Sequence, residues 1–219
     1  MKKSDKMNPF ILGFVKLTGA IPALLFMKPK VYTLKSTTKR SLPKKAILMS
    51  NHTSLLDFVL YLMVFFTRNI HFLMAEVLFN KGKLFSWFLY KIGGIFVDRN
   101  NYTFSFVEKC LDVLDKKGVV CIFPQGRLPV KGKPFPFKPG IVLVALRTDA
   151  PIVPVYTDGN YGLLKLARVM IGDEINIRDY VKSENVTDEE LAELTAILEK
   201  KTYELKDELE KRLKAENEK

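Results

Sequence analysis

Short apolar runs that read as strands alternate along most of this chain with longer runs patterned as helices, and this alternation constrains the fold more than any other feature. KKAILMS (44–50), IHFLMA (70–75), GGIFVDR (93–99), VVCIFP (119–124), PIVPVY (151–156) and ARVMIG (167–172) are the strand candidates. Between them lie the helix-like LLDFVLYLMVFF (55–66), LFSWFLYKI (84–92), NYTFSFVEKCLDVLDKKG (101–118) and PGIVLVALRTDA (139–150). The third of these puts Phe104, Val107, Leu111 and Leu114 on one face and closes on Lys-Lys-Gly, as helices commonly do. Strands alternating with helices predict an α/β fold, a largely parallel or mixed sheet flanked by helices. With 219 residues, 47% of them hydrophobic, the chain can bury a core of its own without a second domain of similar size.

Three segments follow from composition. Residues 1–44 form a basic, apolar arm that associates with membranes; residues 45–180 form the α/β domain; residues 181–219 form an acidic C-terminal helix, opened by Thr187-x-x-Glu190 and carrying Leu205, Leu209 and Leu213 at every fourth position. The net charge of +11 is unevenly shared, the first fifty residues holding eleven Lys/Arg against a single Asp. Within that arm, Pro9 to Met27 would measure about 28 Å as a helix, close to a bilayer's hydrocarbon thickness. Lys16 in mid-run, Pro22 and basic residues at both ends favour a helix lying in the interface; a true span and a core helix are the alternatives. Lysines in such company point to an anionic lipid surface rather than nucleic acid.

Most of the chemistry is concentrated in ILMSNHTSLLDFVL (47–60), where a polar cluster splits an apolar run and a lone Asp57 follows. Ser54-x-x-Asp57 alone would suit a helix N-cap with an acid in the first turn. His52 and Asp57 lie five residues apart, about 500° around a helix, so two helical side chains would point about 140° away from each other. His52 must therefore precede the helix and fold back. In that position Asp57 can hold one ring nitrogen while the other, at the carboxyl end of the sheet, takes a proton.

Asn51-His52-x4-Asp57 resembles the first motif of the glycerolipid acyltransferases, the family of 1-acylglycerol-3-phosphate and lysophospholipid acyltransferases. Further blocks similar to that family's follow in order: Gly94-Ile95-Phe96-Val97-Asp98-Arg99, Phe123-Pro124-Gln125-Gly126-Arg127, then Phe137-Lys138-Pro139-Gly140, and Pro151-Ile152-Val153-Pro154-Val155. The resemblance implies an acyltransferase-type domain in which His52 is the general base and Asp57 its holder. Arg99, Arg127 and Gly126 would bind the acceptor's phosphate, supported by Gln125 and Lys138 of the third block. Pro154 would shape the acyl-donor site, or be a proline of an edge strand. The family commonly reads F-P-E-G-T-R-S in the third block; here Gln125 stands for the acid and Leu128-Pro129 for the usual Arg-Ser.

The function so implied is transfer of a fatty acyl chain from acyl-CoA or acyl carrier protein to a lysophospholipid hydroxyl, above all that of 1-acyl-sn-glycerol-3-phosphate. It takes place at the cytoplasmic face of the cell membrane, with the enzyme peripheral or monotopic. No metal or other cofactor and no nucleic-acid partner is expected. The second reading is an acyltransferase for another lysophospholipid, or a catalytically weak lipid-binding protein on the same fold. GRLPVKGKP (126–134) departs from P-loop spacing, no G-x-S-x-G is present, and Cys110, Cys121 and His71 read as structural.

Overall fold

A strand buried at all five of its positions needs cover on both faces, and Ala46–Ser50 (β2) is such a strand. The computed structural model describes residues 6–98 and 105–218. In it β2 lies near the middle of a seven-stranded sheet ordered β1-β7-β6-β2-β5-β3-β4. The other strands are Lys28–Thr33 (β1), Ile70–Ala75 (β3), Gly94–Val97 (β4), Val119–Ile122 (β5), Ile152–Thr157 (β6) and Leu166–Ile171 (β7). From β6 to β4 all neighbours run parallel, β7 is antiparallel to β6, and β1 is parallel to β7. The sheet is thus mixed, as the alternation predicts.

Helices cover both faces. Pro9–Phe26 (α1), Asp57–Val64 (α2), Glu76–Phe79 (α3) and Lys83–Lys91 (α4) go with the apolar cluster that holds Leu48, Leu60, Tyr61 and Phe72. Ser105–Asp115 (α5), Gly140–Leu146 (α6) and the long Asp188–Asn217 (α7) cover the other face, around Ile47, Met49, Ile122 and Ile152. Because side chains alternate along a strand, adjacent residues of β2 feed opposite clusters. In α5, Val107 and Leu114 are buried and Leu111 is partly so; Phe104 lies outside the described residues.

Four features depart from the sequence reading. KPKVYT, within the segment assigned to the membrane arm, is the edge strand β1, paired along its length with β7. Its lysines hid it, and such charges suit an edge. The acidic C-terminal helix, set apart as a segment of its own, packs into the core: Leu194, Leu198, Leu205 and Leu209 are buried, and Arg212 donates to the carbonyls of Thr33, the last residue of β1, and Leu34. Its Thr187 caps the helix by accepting from the Glu190 amide at 3.2 Å, while the Glu190 carboxylate turns to the amides of Lys182 and Ser183 instead of closing a reciprocal box.

The third departure is Pro154, which lies in an interior strand rather than at an edge. The ladder tolerates it because β7 pairs with β6 only from Val155 onward, and the Pro154 carbonyl still accepts from Gly172 at 2.9 Å. Fourth, Lys16 does not face solvent or lipid. It is 4% exposed, and its Nζ donates to the carbonyls of Phe66 and Arg68, at 2.9 and 2.6 Å, just beyond α2.

Candidate active site

β6, β2 and β5 are neighbouring parallel strands, so the segments leaving their carboxyl ends converge on one edge of the sheet, where open α/β sheets place their ligands. Asn51 ties two of these ends together. Its Nδ2 donates to the Thr157 carbonyl at 2.8 Å, and its Oδ1 accepts from the Thr157 amide at 2.9 Å, extending the β2–β6 pairing by one side chain. Ser50 adds a very short hydrogen bond to the Tyr61 hydroxyl of α2.

His52 comes next, before the helix, as the five-residue spacing requires. Its Nδ1–H donates to Asp57 Oδ2 at 2.7 Å, and the ring stacks on Phe123, centroids 4.2 Å apart and planes within 15°. Asp57 opens α2 and is fully buried. Its Oδ2 also accepts the amides of Thr53 and Ser54 at 2.7 and 3.0 Å, and its Oδ1 accepts the hydroxyls of Thr53 and Tyr161 at 2.7 and 2.5 Å. Burial alone would raise the pKa of this carboxyl, but the donors, His52 foremost, outweigh it and hold the value below the ordinary one. Ser54 is not the helix cap: its hydroxyl accepts the Leu56 amide at 3.1 Å within a local turn.

The third block reaches the same place. Beyond β5, the Gly126 amide donates to the Phe123 carbonyl at 2.9 Å, closing a turn in which Gly126 takes φ +68°, a left-handed conformation that favours glycine. Gln125, 1% exposed, accepts the His52 amide on Oε1 at 3.1 Å. Its Nε2 closes no hydrogen bond of ordinary geometry, with the Tyr203 hydroxyl of α7 as a polar neighbour. Lys138 is anchored by its amide to the Pro124 carbonyl at 2.9 Å and runs its side chain past Gly126, where an added Cβ would lie 3.6 Å from Lys138 Cδ. Arg127 is exposed, with its guanidinium 4.7 Å from the Phe135 ring centre.

Of the residues singled out in the sequence, His52, Asp57 and Gln125 form one bonded cluster, and Gly126, Arg127 and Lys138 flank its turn. Arg99 lies outside the described residues. Pro154 is separate: a Cβ on Gly172 would come within 2.9 Å of its ring, next to Leu205 of α7, so it packs the sheet against that helix. The LFSWFLY aromatics also lie apart, Trp87 and Tyr90 joining Phe79 along an open groove of about 410 Å³ between α3 and α4. Sequence reasoning missed Thr53, Phe123 as the stacking partner and Tyr161. Tyr161 belongs to a loop that becomes part of the site only once β6 is known to lie beside β2.

A mixed α/β sheet with a buried carboxylate holding a histidine at its carboxyl edge defines the class of this fold and of its candidate site. The family model described as Acyltransferase matches residues 33–158, more than half of the chain, and the chain belongs to that family. A Caenorhabditis elegans protein named as a 1-acyl-sn-glycerol-3-phosphate acyltransferase is 28% identical over 175 residues, covering 74% of this chain and 60% of that protein. A chloroplastic Brassica napus protein of the same name is 24% identical over 161 residues, covering 68% of this chain and 45% of its own length. The chain thus spans about half the length of the curated relatives it matches. Among solved structures, the 1-acyl-sn-glycerophosphate acyltransferase PlsC of Thermotoga maritima superimposes with a TM-score of 0.61 at 21% identity, covering 89% of this chain and 79% of that one.

Proposed function

We propose that this protein is an O-acyltransferase that moves a fatty acyl chain from a thioester donor, acyl-CoA or acyl carrier protein, to the hydroxyl of a lysophospholipid, with 1-acyl-sn-glycerol-3-phosphate as the favoured acceptor. The observation that carries the reading is the His52–Asp57 bond at the carboxyl edge of the sheet. Asp57 fixes the tautomer with the proton on Nδ1, so Nε2 is the nitrogen left to accept the hydroxyl proton. The acceptor oxygen attacks the thioester carbonyl; as the tetrahedral intermediate collapses the carbon–sulfur bond breaks, and the proton held by His52 goes to the leaving thiolate. Every atom and charge is accounted for without a further group.

The acceptor phosphate is assigned to Arg127 and Lys138, beside the turn that Gln125 bonds to His52, and to Arg99 from the second block. The printed names of the relatives favour the phosphate-monoester acceptor. Association with an anionic membrane surface is the companion proposal. Phe10, Phe14, Leu17 and Ile21 are 84%, 62%, 69% and 72% exposed along one face of α1, and the opposite face is pinned to the body by Lys16. A helix held that way lies along the surface, with its apolar face offered to lipid.

The test is thiol release from long-chain acyl-CoA and acyl carrier protein thioesters, with lysophosphatidic acid compared against lysolipids of neutral head group. His52→Ala is expected to lower acceptor-dependent turnover by roughly 10²- to 10⁴-fold. Acceptor-independent release, or release indifferent to His52, would defeat the reading.

A further inference from the structure

We propose that Tyr161 is a positioning residue for the His52–Asp57 pair, holding the Asp57 carboxylate in the plane that presents His52 to the acceptor; this rests on the base assigned above. Four of the five hydrogen bonds to Asp57 come from residues within five positions of it, and all three on Oδ2 do. Tyr161, 104 residues away, supplies the only one from another element among the described residues, a 2.5 Å bond to Oδ1. Three local donors on one oxygen leave the torsion of the carboxylate governed by what holds the other. That hold falls to Thr53, itself part of the same local turn, and to Tyr161.

The loop carrying Tyr161 is built to stay put. Asp158 accepts the amides of Asn160 and Arg168 at 3.1 and 3.0 Å and pairs with the Arg168 guanidinium at 3.1 Å. Gly159, at φ +64°, lets the loop press on the site, since a Cβ there would stand 2.6 Å from Thr53 Oγ1. On the far side the Gly162 and Leu164 amides donate to the Phe26 and Leu25 carbonyls at 2.9 and 2.7 Å, the last turn of α1. Tyr161 is therefore braced between the buried carboxylate and the helix with the exposed apolar face.

Its hydroxyl is a donor at every working pH, because burial and the Asp57 charge push its pKa far up. The other titratable groups that face Asp57, Tyr61 of α2 and Cys121 of β5, are likewise held protonated by burial. Removing the Tyr161 donor leaves more negative charge on Asp57 and favours the imidazolium.

The experiment follows the His52 imidazole by nuclear magnetic resonance in the full chain, which has only one other histidine, His71, and measures thiol release alongside. In Tyr161→Phe the His52 midpoint is expected to move to higher pH, with kcat lower by about tenfold and both KM values within about twofold. A 3-fluorotyrosine at position 161, the same shape with a stronger donor, is expected to move the midpoint the other way, and it covers the case in which Tyr161→Phe fails to fold. A His52 midpoint unmoved by either replacement overturns the proposal, as does a fall in kcat with no shift. The titration does not depend on turnover, so a wild type without acceptor-dependent release would count against the acyltransferase reading and leave this one to the midpoint.

Discussion

At residue scale the site is organised around a buried carboxylate more than around the histidine it serves. Asp57 accepts five hydrogen bonds and has no exposed surface, and its pKa is depressed from the ordinary 3.8 despite burial. A depressed folded value means that its contribution to stability is complete above the ordinary carboxylate value and drains as the pH falls through the lower folded one. Asp57→Asn, which sets an amide against those donors, is expected to lose about 3–5 kcal/mol at pH 7, the gap narrowing as the pH is taken below 3.8. Urea unfolding of both proteins at neutral and acid pH checks it; a gap that does not change with pH would mean that Asp57 is not ionised in the fold. Spacing alone made the His52–Asp57 contact legible, because a helix cannot bring such residues together. The use made of Gln125 was not. The sequence shows a lost charge, whereas the fold asks this side chain for an acceptor to the His52 amide, which a carboxamide supplies as well as a carboxylate.

At element scale, strands buried on both faces announced themselves, since they are continuous apolar runs, and the helices between them followed from period. The edge strand β1 escaped for the opposite reason: Lys28 and Lys30 interrupt it, and what makes it a strand is β7, about 140 residues later, which no local pattern reports. Lys16 teaches the same lesson. Its charge argued for a helix in the interface over a span, but its partners, the carbonyls of Phe66 and Arg68, belong to a loop that comes alongside only in the folded chain. Lys16→Met would fill the space and abandon both carbonyls. It is expected to cost about 1–3 kcal/mol in urea unfolding while leaving the exposed face of α1 intact. An unchanged midpoint would show that Lys16 adds nothing to the hold that Leu12, Ala23 and the loop amides of Gly162 and Leu164 give α1.

For the whole molecule, charge and apolar surface are gathered toward the same end of the chain. Residues 1–50 carry ten of the eleven net positive charges, and the exposed stripe of α1 falls within them. Leu163 and Leu164, 66% and 74% exposed on the loop bonded to the end of α1, extend that stripe to the segment that carries Tyr161. Lysines act on an anionic leaflet through water and are screened over about 8 Å at physiological salt, whereas apolar side chains act only after contact and are not screened. The two contributions can therefore be separated. Replacing Phe14, Leu17 and Ile21 by glutamine is expected to cost about 1 kcal/mol each in partial immersion, some 100-fold in affinity for phosphatidylserine-containing vesicles, with thermal unfolding unchanged because these side chains touch little of the protein. Raising the salt weakens wild type and variant by the same factor if lysines draw the protein in and α1 then seats it. Should the triple variant bind as wild type does, the stripe is not the lipid contact, and the vesicle affinity, if it still falls with salt, belongs to the lysines alone.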